Sequence, residues 1–205
     1  MARHAAFIDT GRKIWYDKQN ETRKKGEYEI MEGKLTEAQL KGLTEGDFRK
    51  IRQELWDINN EKKPPVLKAL NEARAQGDLS ENAEYSASKA KLRAMEGRER
   101  YLNNLLDNNP KFEETAGPDE AGMNNTVRLH SEKTDRDMTI KIVTWIRVDP
   151  LQRKVSINSP VGKAAYGQKV GDRVLVTLDS GETYYITILD IDKTTTEDDD
   201  VINSY

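Results

Sequence analysis

The sequence predicts an α+β protein: a long antiparallel helical hairpin followed by a small α+β domain. Three observations carry that expectation. Of 205 residues, 34% are charged and 36% hydrophobic, yet the formal net charge is only −3. Charge so abundant and so balanced suits an elongated helical body with little core per residue, whereas disorder usually joins low hydrophobicity to high net charge. Apolar residues recur at steps of three and four between Phe48 and Leu106, the period of amphipathic helices. After Pro110 the pattern changes to short β-branched and aromatic runs separated by turn residues, the mark of strands.

Several function classes fall away. No apolar run approaches the roughly 20 residues of a membrane span, and the N-terminus lacks a signal-peptide core. There is no cysteine, which removes disulfide scaffolds, thiolate metal sites and cysteine nucleophiles. His4 and His130 lie far apart with no Glu or Cys cluster near either, so a histidine metal site is not expected. The composition fits a soluble cytoplasmic protein with no membrane partner.

Residues 1–43 form an N-terminal extension holding 9 basic and 7 acidic residues. Phe7, Ile8, Ile14, Trp15 and Tyr16 argue against a purely disordered segment, and residues 33–43 are expected to add a helical turn or two.

Residues 44–109 balance 12 basic against 12 acidic side chains. Thr44 is a good N-cap, and Glu45 and Asp47 follow in the first turn, where carboxylates suit the helix dipole. Phe48, Ile51, Leu55 and Ile58 make an apolar stripe, which resumes at Val66, Leu70 and Ala73. Pro64 and Pro65 interrupt it, and two prolines should bend or split the helix. The reading is one helix of about 33 residues, roughly 50 Å long, kinked near Pro64. Gly77 supplies the left-handed residue that ends it.

A second helix follows at once. Tyr85, Ser88, Leu92, Met95, Glu99, Leu102 and Leu106 alternate by three and four, the pattern of a coiled-coil seam. Asn108-Asn109-Pro110 stops it. The short connection requires the two helices to run antiparallel.

Residues 110–122, with Gly117-Pro118 and Gly122, read as a linker. The domain at 123–193 should hold about five strands, around Val127–Leu129 and over residues 139–148, 154–157, 173–178 and 183–191. Ser159 opens a short helix with Pro160 at its first position. The acidic tail at 194–205 is expected to be mobile.

The hairpin tip carries the most specific signal. It reads Gly77-Asp78-Leu79-Ser80-Glu81-Asn82-Ala83-Glu84-Tyr85, and no Lys or Arg occurs from Gln76 through Ser88. Asp78 and Glu81 are three apart, so their carboxylates can approach one another and share in holding a Mg²⁺ ion, which prefers a few hard oxygen ligands and keeps most of its waters. The same residues also fit a capping box, with Asp78 as N-cap and Glu81 at the third position. Both readings stand on spacing alone.

Residues 77–85 resemble the tip motif of bacterial Gre transcript cleavage factors of the A type. The likeness extends to Leu43-Thr44-Glu45-Gly46, Leu55, Lys63-Pro64, Ala69-Leu70, Glu72-Ala73-Arg74 and Glu96-Gly97-Arg98. It continues through Val155-Ser156, Asn158-Ser159-Pro160, Gly162-Lys163-Ala164, Gly167 and Val170-Gly171-Asp172. It runs from about Leu43 to Ile191, so residues 1–43 and the acidic tail lie outside it.

The resemblance implies an FKBP-like last domain that docks on RNA polymerase. It also implies that the hairpin enters the polymerase's secondary channel and reaches the 3′ end of backtracked nascent RNA. Asp78 and Glu81 would be the catalytic pair, holding a Mg²⁺ shared with the polymerase and positioning water. Leu79, Ser80, Asn82, Glu84 and Tyr85 would shape the tip, and Asn158, Ser159 and Pro160 would bind polymerase. The factor would act as a monomer, not as an enzyme by itself. Lys62, Lys63, Lys68, Lys89, Lys91, Arg93, Arg98 and Arg100 could form a basic face toward RNA or channel walls, although most charges on such flanks are solvated. The rival readings are an inhibitory regulator using the same channel, a peptidyl-prolyl isomerase, and an inert helical scaffold.

Overall fold

The computed structural model describes residues 4–7, 13–16, 35–76, 82–198 and 200–203, the first two segments as backbone alone. The chain divides into two units, Met1–Met31 and Glu32–Tyr205. In the first, strands β1 (His4–Phe7) and β2 (Lys13–Tyr16) pair antiparallel, with His4 opposite Tyr16 and Phe7 opposite Lys13. Ile8 lies outside the described residues.

The second unit begins with α1 (Glu37–Lys41), the short helix expected near this point, closed by a capping box between Thr36 and Gln39. Gln39 also donates through its amide to the Glu113 carbonyl and the Thr115 hydroxyl. Leu43 is completely buried and is clasped by residues 110–112: its N–H donates to the Pro110 carbonyl and its carbonyl accepts from Phe112 N–H.

Helix α2 (Glu45–Asp57) starts on Thr44 as the sequence predicts. The Thr44 hydroxyl accepts from Asp47 N–H, and the Asp47 carboxylate accepts from Thr44 N–H. A cap of this kind stabilises a helix by about 1 kcal/mol. The first arm is helical without a break from Glu45 to Ala75, with a wide turn just ahead of the prolines. Residues Ile58–Lys62 form one π-helical turn, and α3 (Lys63–Ala75) begins with the two prolines in its first turn. Pro64 and Pro65 cannot donate to the carbonyls one turn back, and prolines are tolerated only where a helix starts. Lys63 N–H therefore reaches back to Ile58, five residues away. The Asn59 and Asn60 side chains donate to the Leu55 and Trp56 carbonyls, supporting the widened turn.

Helix α4 (Ala83–Asn108) runs back along the first arm. The predicted seam residues Tyr85, Ser88, Leu92, Met95, Glu99, Leu102 and Leu106 all lie on its partly or wholly covered face. Leu105, absent from that pattern, is also buried, because it joins a second contact layer at the hairpin base with Leu43, Ile51, Ile58, Leu102, Ile146 and Ile202.

The last domain is a five-stranded sheet in the order β5-β4-β3-β7-β6. Its strands are β3 (Thr126–Ser131), β4 (Arg136–Val143), β5 (Lys154–Ser156), β6 (Arg173–Thr177) and β7 (Thr183–Asp192). All pairings are antiparallel except that of β4 with β5. Val127, Leu129, Ile140, Ile142, Val176, Ile186 and Ile188 face its core. Helix α5 (Pro160–Ala165) adds Ala165 and is followed by Tyr166.

Three expectations need correction. The strand expected over residues 139–148 stops at Val143. Residues Trp145–Arg147 instead form a 3-10 turn, which carries Ile146 into the hairpin core and Arg147 toward Asp47. The presumed linker is packed, since Phe112 and Ala121 belong to the sheet domain's core. The acidic tail is not loose: Asp200 and Ile202 are 5% and 6% exposed. Its carboxylates meet buried cations there, which outweighs their preference for water.

Candidate functional site

The two arms converge on the acidic tip. Residues 77–81 (Gly77, Asp78, Leu79, Ser80 and Glu81) lie outside the described residues, so the helix-ending role of Gly77 and the placement of the Asp78 and Glu81 carboxylates do too. What flanks them is well defined. Gln76 closes α3, its N–H donating to the Ala73 carbonyl. On the other side Asn82 caps α4, its Oδ1 accepting from Tyr85 N–H at 2.9 Å. Its Nδ2 donates to the Ala73 carbonyl, also at 2.9 Å. One side chain thus satisfies an orphan donor of α4 and gives the Ala73 carbonyl of α3 a second bond beside that from Gln76, pinning the arms together just below the tip.

Helix α4 starts at Ala83 with Asn82 as its N-cap. The capping box read from spacing rests on Asp78 and Glu81, which lie outside the described residues. Asparagine suits the observed cap, because its amide can serve both arms whereas an aspartate can only accept.

Glu84 is exposed in the first turn of α4, where its charge favours the helix dipole. Tyr85 is half-buried on the seam, and Lys89 Nζ stands 5.5 Å from its ring centroid. That is the nearest lysine along α4 to the tip, and it is turned onto an aromatic face. Among the described residues no group of three acidic or histidine side chains could hold a metal ion. Any Mg²⁺ site would rest on Asp78 and Glu81 as two hard-oxygen donors, with water and an outside partner completing the shell. With capping filled by Asn82, the chemistry of that donor set fits such an ion.

Two of the eight flank cations, Lys63 and Arg98, are structural, and the other six are exposed. Arg98 makes two parallel bonds to Glu54 at 2.8 and 2.9 Å and donates to the Ile202 and Asn203 carbonyls. Lys63 binds Glu99 at 2.9 Å, which holds that carboxyl below its usual range. Lys68 lies 3.8 Å from Glu72. Lys63 and Arg98 therefore tie the arms together and do not present a face to RNA.

Asn158, Ser159 and Pro160 form the turn between β5 and α5. The Ser159 hydroxyl donates to the Ser156 carbonyl at 2.7 Å and accepts from Gly162 N–H at 3.0 Å. Asn158 N–H donates to the Ser156 hydroxyl. Gly162 is required here, because a Cβ at that position would lie 2.1 Å from the Ser156 carbonyl oxygen. The turn is partly exposed and braced by these bonds.

Sequence reasoning missed a buried ionic cluster at the hairpin base. Arg147 is 1% exposed. Its Nε lies 2.7 Å from Asp47, a charge contact and not an aligned hydrogen bond, and its Nη1 bonds Asp200 at 2.7 Å. Lys141 and Lys154 reach the same Asp200 carboxylate at 3.0 and 2.6 Å. Burial pushes the Asp200 carboxyl upward, but the bonds from Lys154 and Lys141 and the charge of Arg147 outweigh it and hold the group below its ordinary value. A lone arginine inside the apolar run Val143-Thr144-Trp145-Ile146-Arg147-Val148 was the available signal.

Two family models match most of the chain. One, described as transcription elongation factor, N-terminal, covers residues 42–109; the other, transcription elongation factor, GreA/GreB, C-term, covers residues 115–193. The chain is 37% identical over 149 residues to transcription elongation factor GreA of Mycoplasmopsis pulmonis, an alignment spanning 73% of this chain and 93% of that one. It is 32% identical over 160 residues to GreA of Leuconostoc mesenteroides, spanning 78% and 100%. Among solved structures, GreA factor homolog 1 of Thermus thermophilus aligns with a TM-score of 0.35 at 23% identity, over 73% of this chain and 97% of that one.

Proposed function

Because the chain belongs to the GreA/GreB family of transcription elongation factors, A type, we propose that it stimulates RNA polymerase to cleave backtracked nascent RNA. In this reading the sheet domain docks on polymerase through the Asn158-Ser159-Pro160 turn. The hairpin then delivers Asp78 and Glu81 through the secondary channel to the active centre. The chain is an accessory factor and the polymerase performs the cut.

The observation that carries this reading is the acid-only tip. Residues 76–88 hold no Lys or Arg, and the helix that follows is capped by Asn82. Asp78 and Glu81 stand in that stretch with no cation beside them in sequence. Exposed in water they would bind Mg²⁺ weakly, since solvent screens them and competes for the ion. In a narrow channel beside phosphates the same pair counts for far more. A Mg²⁺ held there would support two-metal phosphoryl chemistry by stabilising the attacking oxygen. Asp78 and Glu81 would hold the ion and orient water. Asn82, with Glu84 and Tyr85, would keep the two arms in fixed relation behind them.

Cleavage of stalled, backtracked elongation complexes in Mg²⁺ tests this. Asp78→Asn and Glu81→Gln should each abolish stimulated cleavage while polymerase binding stays within a factor of two or so of wild type. Full cleavage by both variants would sink the reading. Suppression of elongation by the unaltered chain, with no cleavage, would show an inhibitory regulator instead.

A further inference from the structure

Beyond β7 the chain does not trail into solvent but crosses the boundary between the hairpin base and the sheet domain. Three sets of contacts hold it there. From the sheet side, Arg147, Lys141 and Lys154 converge on the Asp200 carboxylate at 2.7, 3.0 and 2.6 Å. Lys141 also donates to the Thr196 carbonyl. From the hairpin side, the Thr44 hydroxyl donates to Glu197 at 2.6 Å. Lys50 donates to the Glu197 carbonyl and, at 2.5 Å, to the Asp200 carbonyl. Burial holds the Lys50 ammonium below its ordinary value, the neighbouring Arg147 adding to that effect.

The third set is apolar and backbone. Ile202 enters the hairpin core beside Leu43, Ile51 and Leu102. Arg98 of α4 donates to the Ile202 and Asn203 carbonyls, and Asn203 N–H donates to the Ile146 carbonyl at 2.8 Å. The cleft is shaped for this passage: a Cβ on Gly46 would lie 1.7 Å from Glu197 Oε1.

An acidic segment left to itself stays hydrated. Here Asp200 gives up its water for three cations, and those cations are brought together by the fold. Without the segment, Lys141 and Lys154 would lose the carboxylate that joins them, and Arg147 would keep Asp47 as its remaining close anion. We propose that the cleft is a binding site for an acidic peptide, filled by the chain's own Glu197, Asp200, Ile202 and Asn203, and that this strap fixes the hairpin and the sheet domain in one orientation. The strap touches both parts, so its departure loosens the joint, leaving the Arg147–Asp47 pair and Ile146 to hold it.

The chain has no cysteine, so spin labels can be placed at Ala75→Cys on the hairpin and Ser180→Cys on the sheet domain, both exposed. The full chain should give a narrow interlabel distance distribution. Removal of residues 194–205 should at least double its width. A synthetic peptide of residues 194–205 added in excess should narrow it again, and the same peptide carrying Asp200→Asn should not. Circular dichroism checks that truncation keeps the helices and strands. Where it does not, the Glu197→Gln, Asp200→Asn double variant of the full chain supplies the same comparison. An equally narrow distribution without the strap, or with both carboxylates neutralised, overturns the proposal. No polymerase enters these measurements, so the outcome is separate from that of the cleavage assay.

Discussion

Arg147 Nε lies 2.7 Å from Asp47 Oδ1, and neither side chain has any exposure. Asp47 is the third residue of helix α2 and Arg147 the last of a 3-10 turn 100 positions later, so the pair joins the hairpin base to the sheet domain. Such a pair is not worth much over two well-packed apolar residues, but breaking it from one side leaves a charge buried and unpaired.

Arg147→Met should therefore cost about 3–5 kcal/mol in urea unfolding. It leaves Asp47 without its cation and takes one of three from Asp200. Pairing it with Asp47→Leu should recover part of the loss. A single-variant cost below about 1 kcal/mol would place the pair among weak surface bridges instead.

Acid should act through Asp200. Its carboxyl is held below the ordinary value of 3.8. A depressed acid contributes stability above its unfolded pKa and loses it as pH falls through the folded one. The stability gap between wild type and Asp200→Asn should be full at pH 7 and shrink below about pH 4. Urea midpoints at the two ends of that range check this; a gap unchanged at pH 3 would contradict it.

Asn82 does two jobs that substitutions can separate. Asn82→Asp keeps an acceptor for Tyr85 N–H and loses the donor to the Ala73 carbonyl. Asn82→Ala loses both and should cost about 1–2 kcal/mol. Amide exchange should quicken at Tyr85 in the alanine variant only, whereas stimulated cleavage should fall in both, because each loosens the arms behind the tip.

Gly162→Ala probes docking. The new Cβ would lie 2.1 Å from the Ser156 carbonyl oxygen, so the Asn158-Ser159-Pro160 turn must move. Polymerase affinity in a co-sedimentation assay should drop at least tenfold, while the hairpin is untouched. That is the opposite pattern to Asp78→Asn.

Much of the fold could be read from the chain because local rules and tertiary packing agree there. Thr44 followed by Asp47 caps a helix wherever it occurs, and the seam from Tyr85 to Leu106 has a period that only a paired helix uses. Ser159-Pro160 opened α5 for the same reason. The misses share one cause, which is partnership over long separations. Nothing near Asp200 announces Lys141, Arg147 and Lys154, so its acidity was taken for hydration. Trp145 to Arg147 has the composition of a strand and leaves the sheet only because Asp47 and the hairpin core wait on the other side. At the tip, spacing offered only Asp78 as a cap, whereas Asn82 caps α4 and also reaches the Ala73 carbonyl opposite it.

The π turn sets the aim of the hairpin. Ile51 and Ile58 are seven positions apart, as are Val66 and Ala73, and all four are buried; between Ile58 and Val66 the step is eight. In an unbroken α-helix that surplus residue would rotate everything beyond it by about 100°. The wide turn at Ile58–Lys62 absorbs it, as an inserted residue is absorbed in a supercoil. Inserting one more residue there, beyond what the turn already absorbs, would leave composition and charge nearly intact, yet swing Val66 and Ala73 off α4 and point the arm along a different bearing. Direction, in this arm, is written in residue count.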